Sequence, residues 1–170
     1  MNILVLNGSP RREGNTADMV EAFRESAEGN GHHVTVINVT RLNIKGCLAC
    51  EFCHGKGEGR CMRKDDMQEI YDALKDTEML VLASPIYYHN ISGQLKCVID
   101  RFYAALYPKA PETLKKTAMF LSSGDNNMYD GARFSYEGDF LGYLGLEDCG
   151  LFTNHDPGVI ERIKAMAESL

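Results

Sequence analysis

No apolar run in this sequence approaches the roughly 20 residues needed to cross a bilayer as a helix. The longest, such as Met79-Leu80-Val81-Leu82-Ala83, are strand length, so no membrane span is expected. A basic stripe is missing too: 18 Lys and Arg face 24 Asp and Glu, the net charge is −6 and the cations are scattered evenly. That argues against nucleic acid and anionic membrane surfaces as partners. The first residues enter a strand pattern without the basic segment, apolar core and small-residue cleavage site of a secretory signal. A cytoplasmic, mildly acidic protein is expected. Disulfides rarely persist in that compartment, so the six cysteines are expected to be thiols or metal ligands rather than crosslinks. Linkers, internal repeats and low-complexity segments are absent. At 170 residues the chain is long enough to bury a core without staples, and one domain over residues 1–170 is expected.

What the sequence does have is alternation. Strand-like apolar runs at residues 3–7, 33–39, 79–83, 117–122 and 148–153 are interleaved with helical spacing over Thr16–Glu28, Asp65–Lys75, Gly93–Leu106, Gly131–Leu144 and Pro157–Ser169. A βα repeat of this kind implies an α/β fold, a parallel sheet with right-handed crossovers and helices on both faces. Five strands fit the flavodoxin-like order 2-1-3-4-5. In such open sheets ligands sit beyond the carboxyl ends of the strands, where the strand order reverses. The loops after strands one, three and four should therefore converge on one site.

The first of those loops, Gly8-Ser9-Pro10-Arg11-Arg12-Glu13-Gly14-Asn15-Thr16, lies between a buried strand and a helix. Its glycines let the backbone turn, and the helix presents unpaired N–H groups and the positive end of its dipole. Ser9, Asn15 and Thr16 add side-chain donors and Arg11 a full charge, which together suit a phosphate monoester. The loop has neither the Gly-Lys-Ser/Thr ending of a nucleotide-triphosphatase loop nor the three-glycine dinucleotide spacing, so a mononucleotide fits better. The second loop, Ser84-Pro85-Ile86-Tyr87-Tyr88-His89, offers adjacent tyrosines with flat faces for a planar ring. The third, Ser122-Ser123-Gly124, is small enough for backbone to approach a ring edge. Each loop alone also reads as an ordinary turn, with Asn15-Thr16 as an N-cap and the tyrosines packing on a neighbouring helix. Together they describe a site for a phosphorylated planar heterocycle, for which FMN is the economical candidate.

Gly8-Ser9-Pro10-Arg11 with Gly14-Asn15-Thr16, followed by Ser84-Pro85-Ile86-Tyr87, Lys96 and Asp100-Arg101, resembles the NAD(P)H-dependent FMN reductase branch of the flavodoxin-like superfamily. The resemblance covers most of the chain. It implies that Ser9, Arg11, Asn15 and Thr16 hold the FMN phosphate, and that Pro85, Ile86, Tyr87 and Tyr88 with Ser122, Ser123 and Gly124 border the isoalloxazine. True flavodoxins use a shorter Thr-containing phosphate loop without this Pro-Arg pair, which favours a reductase over an electron carrier. The resemblance also implies a homodimer or homotetramer, and aromatic residues around Phe102, Tyr103 and Tyr107 are available for it.

Cys47, Cys50, Cys53 and Cys61 give the spacing C-x2-C-x2-C-x7-C within a Cys-rich loop at 46–62. Thiolates two residues apart are how a short loop wraps a cubane cluster, because each sulfur must reach a different iron. Gly55, Gly57 and Gly59 are expected to make the last gap flexible. The run is similar to the iron–sulfur flavoproteins, which carry a [4Fe–4S] cluster beside FMN, although the last gap is longer than that group leads one to expect. Zinc held by four thiols, or by three thiols and His54, a reversible thiol pair, and simple packing remain open. Cys97 and Cys149 read as small buried hydrophobes.

The chemistry implied is hydride transfer from NAD(P)H to FMN, then delivery of electrons to a small-molecule or redox-protein acceptor. The cofactor carries the reaction, so no acid–base triad is needed, and none is visible. Tyr87, Tyr88 and His89 are candidates for protonating an acceptor and equally for packing or lining the rim.

Overall fold

The computed structural model describes residues 1–170. In chain order its elements are β1 (Asn2–Asn7), α1 (Asn15–Gly29), β2 (His33–Asn38), α2 (Met67–Leu74), β3 (Met79–Tyr87), β4 (Asn90–Ile91), α3 (Gly93–Arg101), α4 (Tyr103–Leu106), β5 (Lys116–Ser122), α5 (Asp130–Ser135), β6 (Glu147–Thr153) and α6 (Val159–Glu168). The five long strands run parallel in the order β2-β1-β3-β5-β6. This is the expected flavodoxin-like 2-1-3-4-5 arrangement, with one addition: β4 pairs antiparallel with the end of β3.

Strands β1 and β3 lie inside the sheet and are buried on both faces, hence their uncharged runs. Alternation still sorts their side chains. Leu4, Leu6, Leu80 and Leu82 point to one face, packed with Met67 and Ile70 of α2, Leu95 and Val98 of α3 and Ala132 of α5. Ile3, Val5, Met79 and Val81 point to the other, packed with Met19 and Phe23 of α1 and Ile163 of α6.

The segment expected to be a loop after residue 83 is instead a continuation of β3 to Tyr87, returning as β4. The two turn residues, Tyr88 and His89, have φ of 49° and 63°, as the two-residue turn of a tight hairpin requires. That conformation is unfavourable for a tyrosine and a histidine, and packing holds it in place. A Cβ on Gly131 would stand 2.4 Å from the His89 carbonyl oxygen, so the start of α5 fits flush against the turn only because residue 131 is glycine.

Two helices also depart from their expected form. The stretch 93–106 is two helices, α3 and α4, meeting at Phe102, whose N–H reaches the carbonyls of both Val98 and Ile99. The stretch 131–144 begins as α5 and continues as a wider π-type helix over Tyr136–Tyr143. Helix α2 starts at Met67, two residues later than expected. Asp65 and Asp66 before it accept hydrogen bonds from the backbone of Lys45 and Asn43 instead.

Candidate functional site

Sheet register aligns the three loop origins. Asn7 pairs with Ala83, and Pro85 with Ser122, so the loops after β1, β3 and β5 leave the sheet at one edge. They enclose an open cleft lined by Ser9, Arg11, Asn15, Thr16, Pro85, Ile86, Tyr87, Ser122, Ser123 and Gly124, together with Glu13 and Gly14. Tyr88 is the one expected contact that does not line it: at the tip of the β3–β4 turn its side chain is fully exposed.

The polar end of the cleft is the start of α1. Gly14 caps the helix with no side-chain hydrogen bond, which leaves first-turn N–H groups for an anion. Ser9 Oγ accepts from the Arg11 N–H at 3.3 Å, so its own hydroxyl hydrogen remains to donate. Thr16 Oγ1 and Ser122 Oγ are buried and 2.7 Å apart. One donates to the other, and the acceptor's hydrogen is left for a ligand. Glu13, an acid on the wall of an otherwise cationic loop, has no signal in the sequence pattern that marks it.

Several residues that hold these loops are invisible to local pattern. Asn154 Oδ1 accepts from the Ser123 N–H at 2.8 Å and from the Tyr129 hydroxyl at 2.8 Å, while its Nδ2 donates to the Ser123 carbonyl at 3.1 Å. Burial raises the Tyr129 phenol above its ordinary value, so it stays a donor. Thr40 donates to the Ser9 carbonyl at 3.2 Å and fixes the first loop to the end of β2. Ser84 Oγ accepts from the Ser92 N–H at 2.9 Å, and Ser92 Oγ caps α3 by accepting from the Leu95 N–H.

The cysteine loop makes a second, small cavity. Cys47, Cys50, Cys53 and Cys61 all line it, with Arg63 from the same loop and Asp100, Arg101, Tyr103 and Ala104 from α3 and α4. No three His, Cys, Asp or Glu side chains converge closely enough to hold a single ion. His54 is not among the lining residues. Its Nε2 lies 2.7 Å from the Tyr103 carbonyl oxygen, an acceptor, so that nitrogen carries a proton and is not a free metal ligand. Gly57 is held tightly in this turn: a Cβ on it would meet the Arg60 carbonyl at 2.4 Å and Phe52 at 2.7 Å. Hydrogen bonds of 2.7 Å from Gly57 to the Phe52 carbonyl and from Gly59 to the Cys53 carbonyl close the turns. Burial pushes the Cys53 thiol up.

Arg101 ties this loop to the fold. Its side chain is 1% exposed and pairs with Asp65. Nη1 donates to Asp65 Oδ2 at 2.9 Å and to the Lys45 carbonyl at 2.9 Å, and Nη2 donates to Asp65 Oδ1 at 3.1 Å. The two flanks of the cysteine loop are thus clasped to α3. Burial alone would raise the Asp65 carboxyl, but Arg101 and the N–H groups of Lys45 and Met67 hold it below the usual range. The Tyr71 hydroxyl donates to the Arg101 carbonyl at 2.9 Å, and its burial pushes the phenol up to about 12. Helix α3 runs from Ser92, bonded to Ser84 on β3, to Arg101 at the cysteine cavity. Its 9 residues span about 13 Å.

Other expectations are revised. Phe102 is buried and packs against Phe140, so it is not a surface aromatic. The exposed rings nearby are Tyr107 and Tyr143, stacked with centroids 6.2 Å apart. Cys97 and Cys149 are half-buried rather than fully enclosed. No helix is long and apolar enough to cross a membrane.

Residues 1–137 match the family described as NADPH-dependent FMN reductase. The chain is similar to an iron-sulfur flavoprotein of Archaeoglobus fulgidus, 36% identical over 101 residues that cover 59% of this chain and 45% of that protein. It is also similar to an iron-sulfur flavoprotein of Methanocaldococcus jannaschii, 36% identical over 129 residues that cover 75% of this chain and 64% of the relative. The matched regions thus span about half to two thirds of those proteins. In three dimensions it resembles an NAD(P)H:quinone oxidoreductase from Methanothermobacter marburgensis, with a TM-score of 0.73 at 18% identity over 99% of this chain and 96% of that one. An azoreductase from Bacillus anthracis str. Sterne gives 0.75 at 13% identity over 99% of both chains. At such identities the likeness carries the fold alone. The sequence match, by contrast, runs through all three cleft loops and the whole cysteine loop, and on it the chain belongs to the NADPH-dependent FMN reductase family.

Proposed function

We propose that residues 1–170 form one FMN-binding domain that oxidises NAD(P)H and passes the electrons to a small-molecule or redox-protein acceptor, with a [4Fe–4S] cluster on Cys47, Cys50, Cys53 and Cys61. One observation carries the reading: a single cleft joins an anion-receptive helix start to a flat strand extension, Pro85–Tyr87. The donors in the cleft fit a phosphate ester. Four thiols lining one cavity are the donor set of an iron–sulfur group, and the names of the iron-sulfur flavoproteins support that reading over zinc. A cytoplasmic location and a homodimer or homotetramer belong to the same reading.

Bound FMN would supply a hydride acceptor for reduced nicotinamide and an outlet for the electrons. Arg11 and the first turn of α1 would neutralise the phosphate, and Ser9, Asn15 and Thr16 would orient it. Asn154, itself held by the Tyr129 hydroxyl, ties down the Ser123 backbone where it would border the ring. Tyr87, about half exposed, leaves room for a second planar group. A [4Fe–4S] group, when bound, would supply one-electron exchange, with the four cysteines as its ligands.

Purification without oxygen, a visible spectrum and assays of FMN, iron, sulfide and zinc test this. Flavin bands over a broad shoulder, about four irons per chain, and bleaching by NADPH or NADH are expected. A second reading is a cluster-free reductase of quinones, azo compounds, nitroaromatics or free flavin. It is favoured by the contact of Cys50 Sγ with Met62 Sδ at 3.3 Å, a thiol engaged by a thioether. Flavin without iron or zinc would establish it. Flavin that neither NADPH nor NADH bleaches would indicate an electron carrier, and a colourless protein with stoichiometric zinc would overturn all three.

A further inference from the structure

The wall of the cysteine cavity carries two polar atoms that the fold leaves without a partner. Arg63 and Arg101 both line the cavity, and the Nε of each is buried with no acceptor. A buried N–H is rarely left unpaired in a finished site, because desolvation without a bond is costly. For Arg101 the reason is geometric. Asp65 takes a forked pair from its terminal nitrogens and Lys45 takes another bond, so the guanidinium plane is fixed and Nε–H has no protein acceptor within reach. Arg63 has no ion-pair partner at all.

Two acids share the same wall. Asp100 pairs with Lys96, and Glu51 accepts from the Tyr103 hydroxyl at 3.1 Å. The cavity therefore presents two unmatched donors, one with an unpaired charge, to whatever its four thiols hold. Four thiolates around a cubane carry net negative charge, and their sulfurs are acceptors.

We propose that Arg63 and Arg101 are the hydrogen-bond donors to the cluster, their Nε–H groups directed to thiolate or inorganic sulfide, and that they raise its reduction potential. The inference rests on the cluster reading above and deepens it. Donors to sulfur stabilise the reduced cluster, which bears one more negative charge, and outer groups of this kind tune a metal centre as its ligands do. Arg101 is also a positioning residue, since it clasps both flanks of the loop that carries the four cysteines.

The test is a redox titration of anaerobically purified holoprotein, followed by cluster electron paramagnetic resonance, with FMN and iron counted in every sample. Arg63→Met is expected to retain FMN and iron and to show a cluster potential lowered by about 59 mV, a tenfold loss in the one-electron equilibrium. The flavin potential should stay where it is. Arg63→Lys, which keeps the charge but loses the guanidinium Nε–H, should fall between the two. If Arg63→Met fails to hold its iron, Arg63→Lys decides: a full cluster at lowered potential supports the role and one at the parent potential overturns it. Arg101→Lys should lower both iron content and potential. Full iron with an unshifted cluster potential in both Arg63 variants overturns the inference while leaving the cluster intact. A parent protein that binds FMN without iron overturns the cluster reading itself.

Discussion

Replacing Asp65 by Asn should be the most damaging single change outside the apolar core. The substitution is nearly isosteric, but it removes the carboxylate that faces a guanidinium with 1% of its side chain exposed; Asp65 itself is 8% exposed. Arg101 would keep the Lys45 carbonyl and one amide oxygen as acceptors but lose the forked partner and its countercharge. Breaking a buried pair by removing one partner costs about 3–5 kcal/mol, a large part of the roughly 5–15 kcal/mol that holds a domain together. With a urea slope of about 2 kcal/mol/M, the unfolding midpoint should fall by about 1.5–2.5 M. Adding Arg101→Met to Asp65→Asn should recover part of the loss, because it removes the buried charge left without a counterion.

The pH dependence gives an independent check. Asp65 is held below the usual carboxylate range, burial being outweighed by Arg101 and the two backbone N–H groups. A carboxyl depressed below its unfolded value of about 3.9 contributes stability that is present above that pH and fades as the pH falls through the folded value. The parent should therefore lose stability on acidification below about pH 4 more steeply than the Asn variant. Urea melts at pH 7 and across the acid limb measure both effects. An Asp65→Asn protein within about 1 kcal/mol of the parent at pH 7, with the same acid slope, would refute the clasp; so large a discrepancy is outside the usual cost of an unpaired buried charge.

Arg11→Ala should weaken FMN binding to the apoprotein by about 10- to 150-fold, the range for losing a charge-assisted bond of 1.5–3 kcal/mol. Tyr88→Ala should leave it within threefold, roughly the scatter of a neutral surface change; fluorescence titration distinguishes the two. Replacing Tyr88-His89 by Asn-Gly should stabilise the protein by about 1 kcal/mol, because that pair adopts left-handed turn geometry readily, and calorimetry should show a Tm about 2–4 °C higher. Gly131→Ala should cost about 1–3 kcal/mol by overpacking against the His89 carbonyl. Hydrogen exchange at Asn90 and Ile91 should speed up, and an unchanged exchange pattern would show that the turn does not depend on that close approach.

The parallel sheet and its strand order were legible because buried strands must be uncharged and βα crossovers have one hand. Ile3–Asn7 and Met79–Ala83 carry that signal locally, and the ten cleft residues followed from knowing which loops leave the sheet at the reversal of order. Tyr88 lies outside the cleft lining because it sits in a hairpin turn, and Ser84–Gly93 has no Asn-Gly pair to announce one. Its turn is imposed by α5 docking at Gly131, a contact more than forty residues away in sequence. Phe102 was misjudged because a helical face shows its periodicity but not which neighbour covers it.

The layered fold, the anion-receptive loop and the grouping of four cysteines are each written in residues near one another along the chain. That those cysteines line one cavity against α3 and α4, that Asp65 clasps Arg101 across 36 positions, and that Asn154 ties down the Ser123 backbone emerge only from the folded arrangement. These depend on where distant segments cross, and burial then made each pairing obligatory by leaving its polar groups no water to bond.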